Sequence, residues 1–280
     1  MDYKTICVFV TDIVVDQPAI AAATAFARRE GAHLDVHCLG IDPTRHDAIA
    51  MGGIMVMLES GLADAQVQAD NLIAAVKPMI PDDLVGFSIQ PVVSEHLGLN
   101  EVLARLARTC DLVISAKPYG PGHSTLTVAV VEATLFGTGA PVLIIPEGSP
   151  DTGHAPERII VAWNESDQAF AAIRAAMPLL KAAAHVDIVM IEPPSHSPER
   201  SDPGGAICTM LSRHGVHAEV SILARTLPRV SDTLLRFARD KGAEAIVMGA
   251  YGHSRLREAI LGGATRDMME QTTLPLLMAH

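Results

Sequence analysis

The sequence lacks long apolar runs, is poor in basic side chains and contains only four cysteines. No stretch approaches the roughly 20 consecutive apolar residues of a membrane-spanning helix, so we expect no membrane partner. The 21 Lys and Arg against 32 Asp and Glu leave a net charge of −11. This excess of acid argues against a nucleic-acid partner, because such binding needs a basic face. The apolar run 6–10 is short, follows Asp2 and Lys4, and is not typical of a secretory signal.

The cysteines are spread along the chain in apolar segments, at Cys7, Cys38, Cys110 and Cys208. None of them forms a C-x-x-C pair, so neither a disulfide framework nor a redox motif is indicated. The pattern is typical of reduced, buried thiols, and we therefore expect a cytoplasmic protein.

The negative charge is divided unevenly between the two halves of the chain. Residues 1–150 carry 8 basic and 17 acidic side chains, a balance of −9, whereas residues 151–280 carry 13 and 15, a balance of −2. A polyanionic ligand would therefore meet less repulsion in the second half.

The sequence repeats itself at half its length. KTICVFVTD at 4–12 parallels PERIIVAWN at 156–164, and AHLDVHCL at 32–39 parallels AHVDIVMI at 184–191, both with an offset of 152. By the ends of the halves, at Pro141 and Pro275, the offset has fallen to 134, so the second copy is the shorter. A linker rich in Gly and Pro separates them. We predict domains at 1–149 and 156–280.

Each copy alternates short runs of Val, Ile and Leu with helical patterns. The runs lack polar alternation, as expected of parallel strands buried on both faces. Such βα units predict a doubly wound, five-stranded parallel sheet in each copy. We expect strands near 4–11, 33–40, 86–93, 111–116, 141–145, 158–163, 185–191, 217–223, 244–248 and 275–279. Helices are expected near 19–29, 61–77, 99–108, 128–136, 168–183, 205–214, 230–241 and 256–271, with Ser231 or Asp232 capping the seventh.

Glycines follow the fourth strand of the second copy, in Met248-Gly249-Ala250-Tyr251-Gly252 and again in Gly262-Gly263-Ala264-Thr265. Ligands of open α/β sheets bind beyond the carboxyl ends of the strands. Glycine lets backbone N–H groups approach an anion, and a following helix N-terminus adds partial positive charge. The segment therefore indicates a phosphate cradle, although glycines also serve tight turns.

Three sequence features carry a family resemblance: the motif G-x2-G-x9-G at Gly249, Gly252 and Gly262, the strand IIVAWNES at 159–166 and the closing strand LPLLM. In these features the chain resembles a tandem universal stress protein. The resemblance implies two Rossmann-like domains of the adenine nucleotide α-hydrolase type, packed as an intramolecular pseudo-dimer through their last strands. It implies ATP or AMP as ligand, with Mg as an optional companion. The nucleotide-binding residues that it implies are Asn164, Ile191, Met248, Gly249, Gly252, Gly262, Gly263, Ala264 and Thr265.

The chain departs from the family pattern at several positions. Asn164 replaces the usual Asp, and Gly263 replaces a Ser or Thr that would contact phosphate. Each lost contact is worth about 0.5–1.5 kcal/mol, which predicts weak ATP binding or a preference for AMP. The first copy keeps the Asp, as Asp12, but has lost the glycine motif. We expect a degenerate site there, with Asp12 either a remnant contact or a helix N-cap.

The leading hypothesis is a stress-response protein that binds an adenine nucleotide in its second domain, with no dedicated catalytic residues and no metal site. One alternative is a slow magnesium-dependent hydrolase or phosphotransferase that uses Thr265 and Arg266. The other is an adaptor that binds no nucleotide. Pairing of the last strands within one chain leaves a further homodimer optional.

Overall fold

A computed structural model of the chain describes residues 2–42, 54–84, 86–120, 125–149, 152–193, 202–251 and 263–280. The contacts divide the chain into two compact units. One comprises Tyr3–Ala140, and the other comprises Met1–Asp2 with Pro141–His280. The division falls before the fifth strand because that strand pairs with the last one. The domain boundary that the sequence indicates between residues 149 and 156 stays a prediction.

The first unit alternates strands and helices, as the sequence pattern predicts. Its elements are β1 (Thr5–Val10), α1 (Ile13–Glu30), β2 (His33–Asp42), α2 (Ile54–Val76), β3 (Phe87–Glu95), α3 (Leu99–Ala107), β4 (Leu112–Ala116) and α4 (Thr125–Gly137). The strands are parallel and lie in the order β3-β2-β1-β4. β1 and β4 are almost wholly buried, which is why they read as continuous apolar runs.

The second unit has the same plan with one strand added. Its elements are β5 (Val142–Ile145), β6 (Arg158–Ala162), α5 (Asp167–Ala175), α6 (Met177–Ala182), β7 (His185–Ile191), α7 (Gly205–Arg213), β8 (Ala218–Leu223), α8 (Val230–Lys241), β9 (Ala245–Gly249), α9 (Ala264–Gln271) and β10 (Leu276–Ala279). The strand order is β5-β10-β9-β6-β7-β8. All neighbours in this unit are parallel except β5 and β10.

The pairing of the two closing strands is confirmed. β5 and β10 run antiparallel, with Leu143 opposite Leu277 and Val142 opposite Met278. All residues of both strands are buried. The last strand of the first copy therefore completes the sheet of the second unit, and neither closing strand leaves this side open for pairing with another chain.

All ten predicted strands are present, with ends within two residues of the expected positions. The helices agree less well. α1 begins at Ile13 rather than near Ala19, because Asp12 caps it and the helix continues through Pro18. The helix expected over 168–183 is divided at Ala176, because Pro178 lacks the N–H that would continue the hydrogen-bond ladder. The part of the expected helix 256–271 that the structure describes begins at Ala264.

The four cysteines are free thiols, and three of them are buried. Burial raises the pKa of Cys38 to about 12 and raises that of Cys7 well above its ordinary value. These two thiols therefore stay protonated at neutral pH, which makes them poor nucleophiles and poor metal ligands.

Candidate functional site

The order of strands in the second unit creates a switch point. From β6 the chain passes to β7 and β8 on one side, and it then returns to β9 on the other side of β6. The segments that follow β6 and β9 consequently diverge, which leaves a crevice at the carboxyl edge of the sheet. Ligands of open α/β sheets bind at such points.

A cavity of about 520 Å³ lies at this edge. Its walls come from the carboxyl ends of three strands, at residues 162–166, 189–193 and 248–249, and from the beginnings of two helices, α8 and α9. The helix residues that line it are Val230, Ser231, Leu234, Ala264 and Met268. The volume is that of a small-molecule site, and most of the lining side chains are apolar.

Five of the nine residues predicted from the sequence line this cavity, namely Asn164, Ile191, Met248, Gly249 and Ala264. Gly263 is the N-cap residue of α9, directly before Ala264, and no side chain caps that helix end. Thr265 does not line the cavity. Gly252 and Gly262 lie outside the described residues. The structure thus brings together predicted residues from the ends of three different strands.

Asn164 stands where the family pattern has aspartate, and its side chain is engaged locally. Its Oδ1 accepts hydrogen bonds from the hydroxyl of Ser166 at 2.6 Å and from the backbone N–H of Ser166 at 3.3 Å. Ser166 in turn caps α5, accepting from the N–H of Ala169 at 3.1 Å. Because the oxygen is used in this relay, the amide nitrogen is the group that Asn164 offers to a ligand.

Gly249 is required by close packing rather than by an unusual backbone angle. A Cβ at this position would lie 2.5 Å from the backbone nitrogen of Ala169 and 2.6 Å from the carbonyl carbon of Gln168. The end of β9 therefore rests directly on the first turn of α5. Because Gly249 also lines the cavity, this contact fixes the position of part of the cavity wall.

Thr265 joins the two segments that hold the glycines. It is buried, and its Oγ1 accepts a hydrogen bond from the backbone N–H of Tyr251 at 3.0 Å. The bond ties the chain just after β9 to the first turn of α9. In the described structure Thr265 therefore orders the segment beside the cavity.

The backbone carries left-handed conformations where the strands end. Among the described residues, the non-glycine residues with positive φ are Glu165 at 62°, Glu192 at 47° and Tyr251 at 55°. Each follows one of the three strands whose carboxyl ends form the cavity. Such conformations are unfavourable for residues with a Cβ and collect at binding and catalytic sites.

Residues 156–280 match the model of the universal stress protein family. The second half of the chain is a universal stress protein domain. A curated relative, universal stress protein Slr1230 from Synechocystis, is 27% identical over 90 residues. Those residues are 32% of this chain and 30% of that protein, so this chain spans under a third of the relative's length.

The fold of the whole chain is that of known structures. A universal stress protein from Archaeoglobus fulgidus DSM 4304 covers 98% of this chain and 95% of its own, with a TM-score of 0.69 at 13% identity. A universal stress protein solved in complex with cAMP covers 45% of this chain and 98% of its own, with a TM-score of 0.35 at 16% identity. The first likeness shows that the mixed α/β plan extends through both copies.

Several cavity residues of the universal stress protein domain were missed from the sequence. They are Ala162, Trp163, Glu165, Ser166, Val189, Met190, Glu192, Pro193, Val230, Ser231, Leu234 and Met268. Four of them, Trp163, Glu165, Glu192 and Pro193, follow a strand end by one to three residues, a signal that would have found them. Ser231 or Asp232 was expected to cap α8, which is wrong for both residues. α8 begins at Val230, its N-cap residue is Arg229, and no side chain caps it.

Charge in the lining is acidic. Among the described lining residues the charged ones are Glu165 and Glu192, and none is basic. A phosphate group would thus meet repulsion in this part of the cavity. Within the described lining, the N-termini of α8 and α9 and backbone N–H groups contribute positive potential.

The corresponding position of the first copy is used for capping. Asp12 accepts hydrogen bonds from the N–H groups of Val14 at 2.8 Å and Val15 at 3.1 Å, and so caps α1. Of the two roles left open by the sequence, the helix cap is observed. In the universal stress protein domain Ser166 caps the helix instead, and the Asn164 side chain bonds to Ser166 rather than to the helix N–H groups.

Neither a metal cluster nor a membrane span is present in the part of the chain that the structure describes. No group of three or more His, Cys, Asp or Glu side chains there is arranged to hold a metal ion. No helix there is long and apolar enough to cross a membrane.

Proposed function

We propose that the cavity of the universal stress protein domain binds an adenine nucleotide and that this binding, rather than catalysis, is the function of the site. The observation that carries the proposal is the convergence of Asn164, Ile191, Met248, Gly249 and Ala264 around one cavity of about 520 Å³. The family resemblance implied these residues from sequence motifs alone. Their distribution over three strand ends and a helix start fits a ligand laid across the switch point.

The apolar walls and the acidic lining favour particular parts of the nucleotide. An aromatic base fits among Ile191, Met248 and Met268, because planar apolar rings gain from such contacts. Carboxylates at Glu165 and Glu192 accept hydrogen bonds and so suit ribose hydroxyl groups better than phosphates. We therefore expect AMP to bind at least as well as ATP.

A catalytic role finds less support. The hydrolase alternative needs the Thr265 hydroxyl at a phosphate or a metal, but this hydroxyl is buried and accepts from Tyr251. We propose that the domain acts as a nucleotide-responsive module of a stress response in the cytoplasm. The free, buried thiols of the chain support that location. The first copy is proposed to serve as a degenerate partner domain, and a homodimer remains optional.

Isothermal titration calorimetry with AMP, ATP and ATP plus Mg tests the proposal. We expect binding of AMP in the micromolar to millimolar range, blocked by Ala264→Phe, which places a ring in the cavity. Ala264 is exposed at the start of α9, so this change leaves the core intact. Ala21→Phe is the matched control, because Ala21 is also exposed on a helix but lies in the first unit. Absence of binding by the unmodified protein at millimolar AMP and ATP would contradict the proposal.

A further inference from the structure

Two polar atoms in the cavity wall have no hydrogen-bond partner in the described structure. They are the hydroxyl oxygen of Ser231 and the indole nitrogen Nε1 of Trp163. Both residues line the cavity, and both atoms are shielded from solvent. Ser231 as a whole is 1% exposed. Buried polar groups in native proteins are nearly always paired, so two unpaired ones in the wall of the same cavity favour a ligand with polar groups there.

Ser231 sits in an unusual place for a serine at a helix start. Serine there normally occupies the N-cap position and accepts from the first N–H groups of the helix. In α8 the N-cap position is occupied by Arg229, in extended conformation with φ −110° and ψ 143°. Ser231 is the second residue of the 12-residue helix, and its hydroxyl makes no capping hydrogen bond although the residue lines the cavity. The helix dipole adds partial positive charge at this end, which favours a ligand atom with lone pairs.

The backbone of Trp163 is held in place at the ends of two strands. Its backbone N–H donates to the carbonyl of Val189 at 2.9 Å, which holds the residue between the ends of β6 and β7. The indole N–H is a donor and cannot accept, so a partner in the ligand must be an acceptor. Other side chains that line the cavity include Val189, Met190 and Leu234, which are apolar.

We infer that Ser231 and Trp163 read the heterocyclic base of the bound nucleotide. The inference rests on the proposed function and adds the residues that give the site its selectivity. Trp163 donates to a ring nitrogen that bears a lone pair, and the Ser231 hydroxyl bonds a second polar atom of the base. The ligand class is a purine with acceptor nitrogens. A phosphate at this place is disfavoured by Glu165 and Glu192, which line the same cavity.

The experiment compares three probes, AMP, adenosine and ribose 5-phosphate, on the full chain by calorimetry. Ser231→Ala is expected to weaken AMP and adenosine equally, by about threefold to tenfold, the loss of one neutral hydrogen bond. Trp163→Phe, which keeps a ring and removes the N–H, is expected to act in the same way. Affinity for ribose 5-phosphate should be unchanged in both variants.

Thr127→Val is the matched control. Thr127 is also buried, at 2% exposed, and its hydroxyl likewise has no partner, but it lies in the first unit on α4. Its removal should leave all affinities unchanged. A thermal melt without ligand adds a second signature, since losing an unpaired buried hydroxyl should not lower the melting temperature of either Ser231→Ala or Thr127→Val.

The outcomes separate this inference from the function on which it rests. If the unmodified chain binds neither AMP nor adenosine, the proposed function fails. If it binds AMP while Ser231→Ala and Trp163→Phe bind equally well, the function stands and the reading of the base by these residues is wrong. If the Ser231→Ala effect appears with ribose 5-phosphate, the hydroxyl contacts phosphate and the inference is overturned.

Trp163 is the single tryptophan of the chain, so its fluorescence reports directly whether AMP reaches it.

Discussion

The hydroxyl of Thr265 accepts the backbone N–H of Tyr251 across 3.0 Å, linking the segment after β9 to the first turn of α9. Tyr251 has a left-handed backbone, with φ 55°, which its surroundings must hold in place. Thr265 therefore acts on the cavity through another residue, and its effect on binding should be indirect.

Removing this acceptor tests the indirect role. Thr265→Val keeps the shape of the side chain and loses the bond, so we expect the free energy of unfolding to fall by about 1–2 kcal/mol. AMP affinity should fall as well, although Thr265 does not line the cavity. Thr265→Ser retains the hydroxyl and should behave as the unmodified protein in both measurements. Denaturant unfolding and calorimetry provide the two values, and a Val variant that loses affinity with unchanged stability would indicate direct contact instead.

A second prediction concerns the amide at the end of β6. Asn164→Asp keeps an oxygen for Ser166 and adds a second carboxylate oxygen that can accept from ribose hydroxyl groups. Adenosine affinity should rise about threefold to tenfold, because hydrogen bonds to a charged acceptor are the stronger kind. ATP should gain less, since the new charge repels its phosphates. Titration of both ligands checks this, and equal gains would mean that the carboxylate does not meet the ribose.

Gly249 should be intolerant of any side chain. In Gly249→Ala the new Cβ meets backbone atoms of α5 at 2.5 and 2.6 Å, so either strand or helix must move. Overpacking of this kind costs about 1–3 kcal/mol. Gly98→Ala is the matched control, because a Cβ there meets nothing within 4 Å and φ is −99°. Urea unfolding of the two variants should differ clearly, and equal midpoints would contradict the close approach.

The fourth prediction is a pH dependence. Asp16 is buried, and one of its oxygens accepts from the N–H and hydroxyl of Thr11 and from the N–H of Asp12. Burial raises the pKa of this carboxyl above its ordinary value, partly offset by those hydrogen bonds. A raised carboxyl pKa means that the folded chain holds the proton more tightly than the unfolded chain. Stability from this source is present below the unfolded pKa of about 3.9 and is lost as pH rises through the folded pKa.

Asp16→Asn should remove that slope. The amide keeps one oxygen for the same donors, and it does not bury a charge at neutral pH. We expect a flatter profile of unfolding free energy from pH 4 to 7, with stability at pH 7 at or above that of the unmodified chain. Urea melts across this range give the profile. An unchanged slope would show that Asp16 is not its source.

The strands could be predicted from sequence because burial on both faces produces continuous apolar runs such as Ile159 to Val161. The first residues of the helices were harder to predict from sequence, because several nearby residues can serve as the N-cap. The start of α1 was expected near Ala19, yet Asp12 caps a helix that begins at Ile13 and continues through Pro18. Ser231 was visible as a candidate cap, but it could cap only a helix that begins at Asp232, and α8 begins two residues earlier, at Val230.

The site was predictable where a motif marks it and not where the fold assembles it. Asn164 follows β6 closely, and Met248 and Gly249 are the last residues of β9, both in recognisable patterns. Trp163 and Ser231 are separated by more than 60 positions and meet the same cavity only because β6 and α8 converge at one edge of the sheet. The spacing of residues in the sequence does not show that two such distant residues line the same cavity.

The antiparallel pairing of β5 with β10 determines how a fragment containing only the second half of the chain would behave. A fragment beginning at residue 156 would carry the whole matched domain but would lose β5, leaving the buried strand Leu276–Ala279 with an open apolar edge. Such an edge is satisfied most simply by the same strand of another fragment, in the same antiparallel sense. Covalent tandem joining thus replaces a concentration-dependent association by a permanent one, and a liberated second half should assemble in pairs.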